Sequence, residues 1–429
     1  MTNPTPRSTS FLSGSLRRAS FAVVLVYALL MIATQPTHAQ TFTVLHSFSG
    51  PDGSQPNQSL RVDQDGNIYG TTTAGGLSSN CGEVFKLAPA GSGWILSRLY
   101  AFHGSDGCAP NTRVAVGPDG AFYGAAYGGN LSCNSGCGVV YKLRPPATAC
   151  VGASCPWTES VLYAFDGSSG NGTGGGELVF DQTGNIYGIL PYGGAYNEGA
   201  VFKLWPSQDG WTESVLYYFT GGADGGYPQS QPTFDRFGNL YGVCYNGGNG
   251  YGTVYQLTPS AGRWVESVVY SFAGGSDGFA AVGSLVFDAA GNLYGTTDKG
   301  GQNYTGTVFE LTPSNGGWTH SVIYSFTTGV WGGGPQDVLA RDQAGNLYGT
   351  APFDGLYSQG VVFKLTPTGE GWIYTSLHDF TGGSDGYIPF GGVTLDANGN
   401  LYGTAFGGGG GNCSNPYGPG CGTVWKITP

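Results

Sequence analysis

Residues 284–297 read SLVFDAAGNLYGTT, residues 306–311 read GTVFEL, and residues 317–326 read GWTHSVIYSF. Four short β-type runs fit into this one stretch, each bounded by Gly, Asn, Asp or Pro, with no helical periodicity between them. The same frame recurs along the chain. Its Tyr-Gly tyrosines are Tyr69, Tyr123, Tyr187, Tyr241, Tyr294, Tyr348 and Tyr402, spaced 54, 64, 54, 53, 54 and 54 residues apart. Four antiparallel strands in about 54 residues is the size of a propeller blade, whereas solenoid coils take about 20 to 30 residues.

The two ends of the repeat array sharpen this. Fourth-strand runs end at Phe48, Phe102, Phe165, Phe219, Phe272, Phe326 and Phe380, and the first of these precedes any complete unit. The final unit stops at Val424-Trp425-Lys426-Ile427 without a fourth strand of its own. Pairing the orphan strand at 42–48 with the last unit leaves no open sheet edge. The sequence therefore predicts an all-β, seven-bladed β-propeller over residues 40–429, closed by its N-terminal strand. An open stack of hairpin units is the alternative.

Composition agrees with a packed, turn-rich protein. Gly is present 79 times and Pro 24 times in 429 residues, close to a low-complexity share, yet aromatic residues reach 14%. Disordered chains lack that much surface to bury. Only 10% of residues are charged and the net charge is -11, which excludes a phosphate-binding, nucleic-acid-type surface.

Residues 1–39 have the pattern of an export signal: Arg7, Arg17 and Arg18, an apolar run from Phe21 to Ala33, and a small residue at Ala39. The run is too short to span a bilayer, so cleavage after Ala39 is expected, and the Arg pair leaves the general and twin-arginine routes both open. No later segment is apolar enough to cross a membrane. The expected location is secreted or periplasmic. Nine cysteines suit an oxidising compartment. Cys133/Cys137, Cys150/Cys155 and Cys413/Cys421 are close pairs in loops, Cys81 and Cys108 lie on loops that can be joined, and Cys244 is left over. With no Cys-x-x-Cys and few histidines, these thiols do not read as a metal site.

The units, with Asp-x-x-Gly-Asn-Leu-Tyr-Gly-Thr, Gly-Thr-Val-Phe-Lys-Leu and Trp followed by Leu-Tyr-x-Phe, resemble the GloVer tandem repeat of exported, choice-of-anchor bacterial proteins. The resemblance implies export and a β-propeller-like fold. It implies no settled activity, so no catalytic residue is carried over.

Residues that recur in nearly every unit read as architecture. Asp181, Asp235, Asp288, Asp342 and Asp396 precede Gly-Asn turns and are expected to cap hairpins; Trp94, Trp157, Trp211, Trp264, Trp318 and Trp372 are expected to pack between blades. Asp-Gly pairs at Asp52, Asp106, Asp224, Asp277 and Asp385 sit in the loops between blades, where a turn is favoured over a ring of ligands. Departures from the repeat are better candidates for a site. Near the start of the first strand stand Gln58, Arg113, Glu177, Gln231 and Asp337, and Arg113, Glu177 and Asp337 are expected to place opposite charges around the channel. His103 lies beside Asp106 in an interblade loop. The loops between second and third strands carry Tyr127, Tyr192, Tyr196, Tyr245, Tyr251, Tyr304, Tyr357 and Tyr417, flat faces suited to sugar rings or to interfaces. Of these, Tyr196, Tyr245, Tyr304 and Tyr357 are the principal candidates.

The expected function is non-catalytic binding of an extracellular glycan or exported protein by a monomer, with no cofactor. The alternative is a propeller hydrolase, lyase or lactonase that uses channel carboxylates, with Ca²⁺ as the one metal to consider. No Gly-x-Ser-x-Gly elbow precedes a helix, and no histidine cluster supports another chemistry.

Overall fold

The computed structural model describes residues 1, 40–76, 79–129, 137–146, 157–170, 176–327 and 333–429. Thr41–Thr428 forms seven antiparallel sheets around a ring, each running from an inner first strand to an outer fourth one. In the fifth blade the order is Val286–Phe287, Leu293–Lys299, Thr307–Ser314 and Gly317–Ser325. The seventh blade takes its outer strand from Thr41–Ser47, which pairs with Thr423–Thr428, Phe42 opposite Ile427 and Val44 opposite Trp425. A bulge leaves Leu45 unpaired between Val44 and His46, and the other six outer pairs carry the same one-residue bulge in their fourth strand, as at Ile323 between Val322 and Tyr324. The borrowed strand thus reproduces the geometry of a native one.

The recurring motif has a physical cause at each position. Asp288 Oδ1 accepts the backbone N–H of Ala290 at 2.8 Å and of Asn292 at 2.9 Å, while Oδ2 accepts the Asn292 side-chain amide at 3.0 Å. The Tyr294 hydroxyl also reaches that carboxylate, at 3.3 Å, and Gly291 supplies the positive φ of the turn, +91°. Tyr69, Tyr187, Tyr348 and Tyr402 donate likewise to Asp63, Asp181, Asp342 and Asp396. The expected caps are therefore present, each tied to its own Tyr-Gly tyrosine. Blade 2 has Gly117 at the aspartate position, and Asp119, two residues on, receives the Tyr123 hydroxyl at 3.1 Å instead.

The glycine of Tyr-Gly has a different reason. A Cβ on Gly295 would lie 2.5 Å from Cζ of Phe309 and 2.8 Å from Cδ2 of Leu285. In every blade the equivalent glycine faces the third-strand aromatic: Phe85, Tyr141, Phe202, Tyr255, Phe309, Phe363 or Trp425. These rings are fully buried. The core lies between blades, as where Tyr294, Val308 and Phe326 of blade 5 pack with Leu339, Phe363 and Leu365 of blade 6. The tryptophans join the same seams: Trp264 meets Tyr187, Trp318 meets Tyr241 and Trp372 meets Tyr294 of the preceding blade, ring centroids 6.1–6.2 Å apart.

Cys81–Cys108 and Cys413–Cys421 are disulfides and Cys244 is a free, buried thiol. Cys137 is disulfide-bonded, while Cys133, Cys150 and Cys155 lie outside the described residues. Residues 2–39, the expected export signal, also lie outside them. Among the described residues no helix is long and apolar enough to cross a membrane.

Replacing Gly295 by Ala forces a methyl group into the Phe309 ring. Urea unfolding should show a loss of about 1–3 kcal/mol, typical of an overpacked core, and an unchanged midpoint would disprove the packing account.

Candidate functional site

The inner strands are only two residues long, as at Arg61–Val62, Ala115–Val116 and Thr394–Leu395. Just before them the chains bond both to their own second strand, as Asn111 does to Ala125, and to their neighbours around the ring. Thr112 and Arg113 pair in parallel with Gly176 and Glu177 of the next blade, and Thr404 Oγ1 donates to the Gln58 carbonyl at 3.3 Å. This places the residues preceding each first strand at the channel.

Two charge networks form there. Glu177 on blade 3 meets Arg113 of blade 2 at 3.4 Å and reaches past it to Arg61 of blade 1 at 3.3 Å. Its backbone N–H donates to the Gln231 side chain of blade 4 at 2.5 Å. Burial pushes the Glu177 carboxyl up from its ordinary range, against the pull of Arg113 and Arg61. The second network centres on Asp337 of blade 6. Its Oδ2 accepts the Gly392 backbone N–H of blade 7 and the Ser59 hydroxyl of blade 1, both at 2.7 Å. That span across blade 7 needs a residue without a side chain, since a Cβ on Gly392 would sit 2.5 Å from the Val338 carbonyl oxygen. The structure thus brings Arg113 and Glu177 into contact and gives Asp337 its own partners across the ring. Arg61, which sequence reasoning missed, joins the first network.

Beside Asp337 a cavity of about 280 Å³ opens, lined by Asn57, Gln58, Gln229, Ser230, Gly283, Ser284, Gln336, Asp337 and Phe390. The Gln336 amide donates to Asp298 at 3.0 Å; that carboxyl is buried, which raises it to about 6. Phe390 belongs to an aromatic group, edge-on to Phe406 with centroids 5.4 Å apart and to Tyr417 at 5.9 Å. Asn57, Gln229, Gln336 and Phe390 were not anticipated. The signal for them existed: each follows a proline, at Pro56, Pro228, Pro335 and Pro389.

The other sequence candidates stand elsewhere. His103 is exposed on the loop leaving an outer strand, its ring 3.1 Å from Asp106. Tyr196, Tyr304 and Tyr357 are more than half exposed, and none lines the cavity. Tyr245 is half-buried with its hydroxyl accepting from Lys299 Nζ at 2.7 Å. The Asp-Gly aspartates serve turns: Asp224 accepts the Tyr217 hydroxyl at 3.0 Å and the Thr220 N–H at 2.8 Å, and Asp277 accepts the Tyr270 hydroxyl at 2.9 Å. In blades whose fourth strand carries His in place of Tyr, His46 and His378 approach Asp52 and Asp385 in the same way, at 3.0 and 3.1 Å. Among the described residues, no three His, Cys, Asp or Glu side chains converge as a metal site.

The family described as the Gloeobacter/Verrucomicrobia repeat matches residues 32–250 and 174–417. No curated protein matches the sequence. Among solved structures, virginiamycin B lyase from Staphylococcus aureus is similar with a TM-score of 0.53 at 11% identity, covering 91% of this chain and 100% of that one. A putative glucose dehydrogenase from Thermus thermophilus superposes with a TM-score of 0.45 at 14% identity, covering 91% of this chain and 100% of that one. PorZ, a surface component of the type-IX secretion system of Porphyromonas gingivalis, gives 0.47 at 13% identity, with 84% of this chain and 46% of that chain covered. At these identities the likeness concerns the fold alone.

The interblade carboxylates have a measurable consequence. Burial, and then the charge of Asp224, pushes Glu266 up to about 7, and burial with Asp106 does the same for Glu159. A carboxyl whose folded pKa lies above its unfolded value of about 4.3 stabilises fully below the lower value, and that stability is lost as pH rises towards the higher one. Glu266→Gln should therefore melt higher than the parent at pH 8 and show no such gain at pH 4. Equal shifts at both pH values would disprove it.

Proposed function

We propose, from the premise that this chain belongs to the Gloeobacter/Verrucomicrobia repeat family, that it is an exported, non-catalytic β-propeller which binds a neutral glycan at the channel mouth. One observation carries the reading: the mouth cavity is walled by the side chains of Asn57, Gln58, Gln229 and Gln336 around the ring of Phe390. Amides donate and accept at once, which suits hydroxyl groups, and an aromatic face packs against sugar C–H groups. A cavity of about 280 Å³ is near the lower end of ligand pockets and matches one or two sugar rings.

The charge arrangement supports binding over carboxylate chemistry. Glu177 is held by two arginines, and both oxygens of Asp337 accept hydrogen bonds from the protein, Oδ1 from the Val338 N–H at 2.7 Å. A general acid or base needs a free approach to its substrate. Export is supported by the signal-like residues 1–39 and by disulfides, which persist in oxidising compartments.

The test is a glycan array probed with the mature chain, followed by calorimetry on the hits. Gln336→Ala and Phe390→Ala should each weaken a neutral hit by about tenfold, the equivalent of 1.4 kcal/mol, with the fold retained at the assay temperature. Absence of any glycan hit, alongside stable binding of an exported protein, would replace the ligand class.

A further inference from the structure

The opposite face, formed by the hairpin turns, carries a second departure from the repeat. A groove of about 540 Å³ runs between blades 3 and 4, lined by Asn185, Lys203, Trp205, Ser214, Arg263 and Trp264 among others. Trp205 is peculiar to blade 3: the same third-strand position holds Ala88 in blade 1, Arg144 in blade 2 and Thr258, Thr312, Thr366 and Thr428 in blades 4 to 7. The repeat does not need an indole there. Trp264 belongs to the common frame and forms the other wall.

The groove holds two cations in a chain with only 16 Lys and Arg against 27 Asp and Glu. Among the described residues, Arg61, Arg98, Arg113 and Lys142 are in ion pairs with carboxylates, whereas Lys203 and Arg263, like Lys86, Arg144, Lys364 and Lys426, form none. At the position of Lys203, Lys142 of blade 2 is taken up by Asp119, while Lys86, Lys364 and Lys426 lie over the Tyr-Gly rings of their blades. Lys203 likewise lies over the Tyr187 ring, 5.4 Å from its centroid, and Arg263 is exposed at the turn. Two cations without a carboxylate partner and two indoles lining one groove fit a ring that is apolar on its faces and anionic at its edge.

We infer that the blade 3–4 groove is a second binding site, for an acidic saccharide bearing hexuronate units. The indoles of Trp205 and Trp264 take the sugar C–H faces. Arg263 binds the carboxylate through its planar fork, and Lys203 adds a point charge. The site is separate from the channel mouth, whose lining is amide-rich and carries no cation.

Calorimetry on the mature chain with trimers of galacturonate, guluronate and glucuronate, each beside its neutral methyl ester, tests this. At least one free acid should bind, more weakly as salt rises, and its ester should not. Arg263→Gln and Trp205→Thr, the latter restoring the residue of other blades, should each weaken binding by about tenfold or more while the melting temperature holds. Phe390→Ala at the mouth should leave uronate binding intact, which separates this site from the proposed neutral-glycan site. The inference fails if no uronate trimer binds, if both groove variants bind as the parent does, or if Phe390→Ala abolishes the binding.

Discussion

Pairing of Thr41–Ser47 with Thr423–Thr428 is the constraint on which the remainder of the molecule depends. A twisted four-stranded sheet leaves two edges with unpaired N–H and C=O groups, and a row of seven such sheets leaves the outermost faces open to water. Joining the first strand of the chain to the last sheet covers the end face of each terminal blade with the other. The inner contacts follow from that closure. Thr404 donates to Gln58, and Ser59 donates to Asp337, across 346 and 278 residues of sequence. The mouth cavity is lined from both sides of the closing seam, by Gln58 on one and Phe390 on the other.

Within the ring the repeated and unrepeated residues have different work. Asp, Asn and Tyr of each hairpin satisfy one another, and the glycine after the tyrosine makes room for an aromatic ring. Because these partners lie in one blade or in adjacent ones, they are used up by the fold and leave nothing for a ligand. Binding capacity is left to positions where the blades differ. At the mouth these are the amides and Phe390 after recurrent prolines; in the blade 3–4 groove they are Trp205 and Arg263.

Sequence reading located the charged residues at the channel because their departure from the repeat marks a fixed place in the unit. It missed Arg61, two residues further into the first strand, because contact between blades 1 and 3 depends on the diameter of the channel and not on spacing along the chain. It gave weight to the loop tyrosines for their chemistry. Their side chains stand on the same loops that rim the channel, yet the cavity is lined by shorter amide side chains, since the segments before the first strands lie closer to the axis.

By itself, the sequence determined the number of blades, the strand count in each, the means of closure and the hairpin chemistry. All of these follow from local patterns repeated at a fixed period, so each copy corroborates the others. Only the tertiary structure decided which departures from the repeat meet. Glu177 finding two arginines and Asp337 spanning a glycine blade are contacts between residues about 50 to 280 positions apart, and Trp205 and Trp264 come to line one groove from two blades. Their occurrence depends on how the blades are set around the ring, which no local pattern encodes.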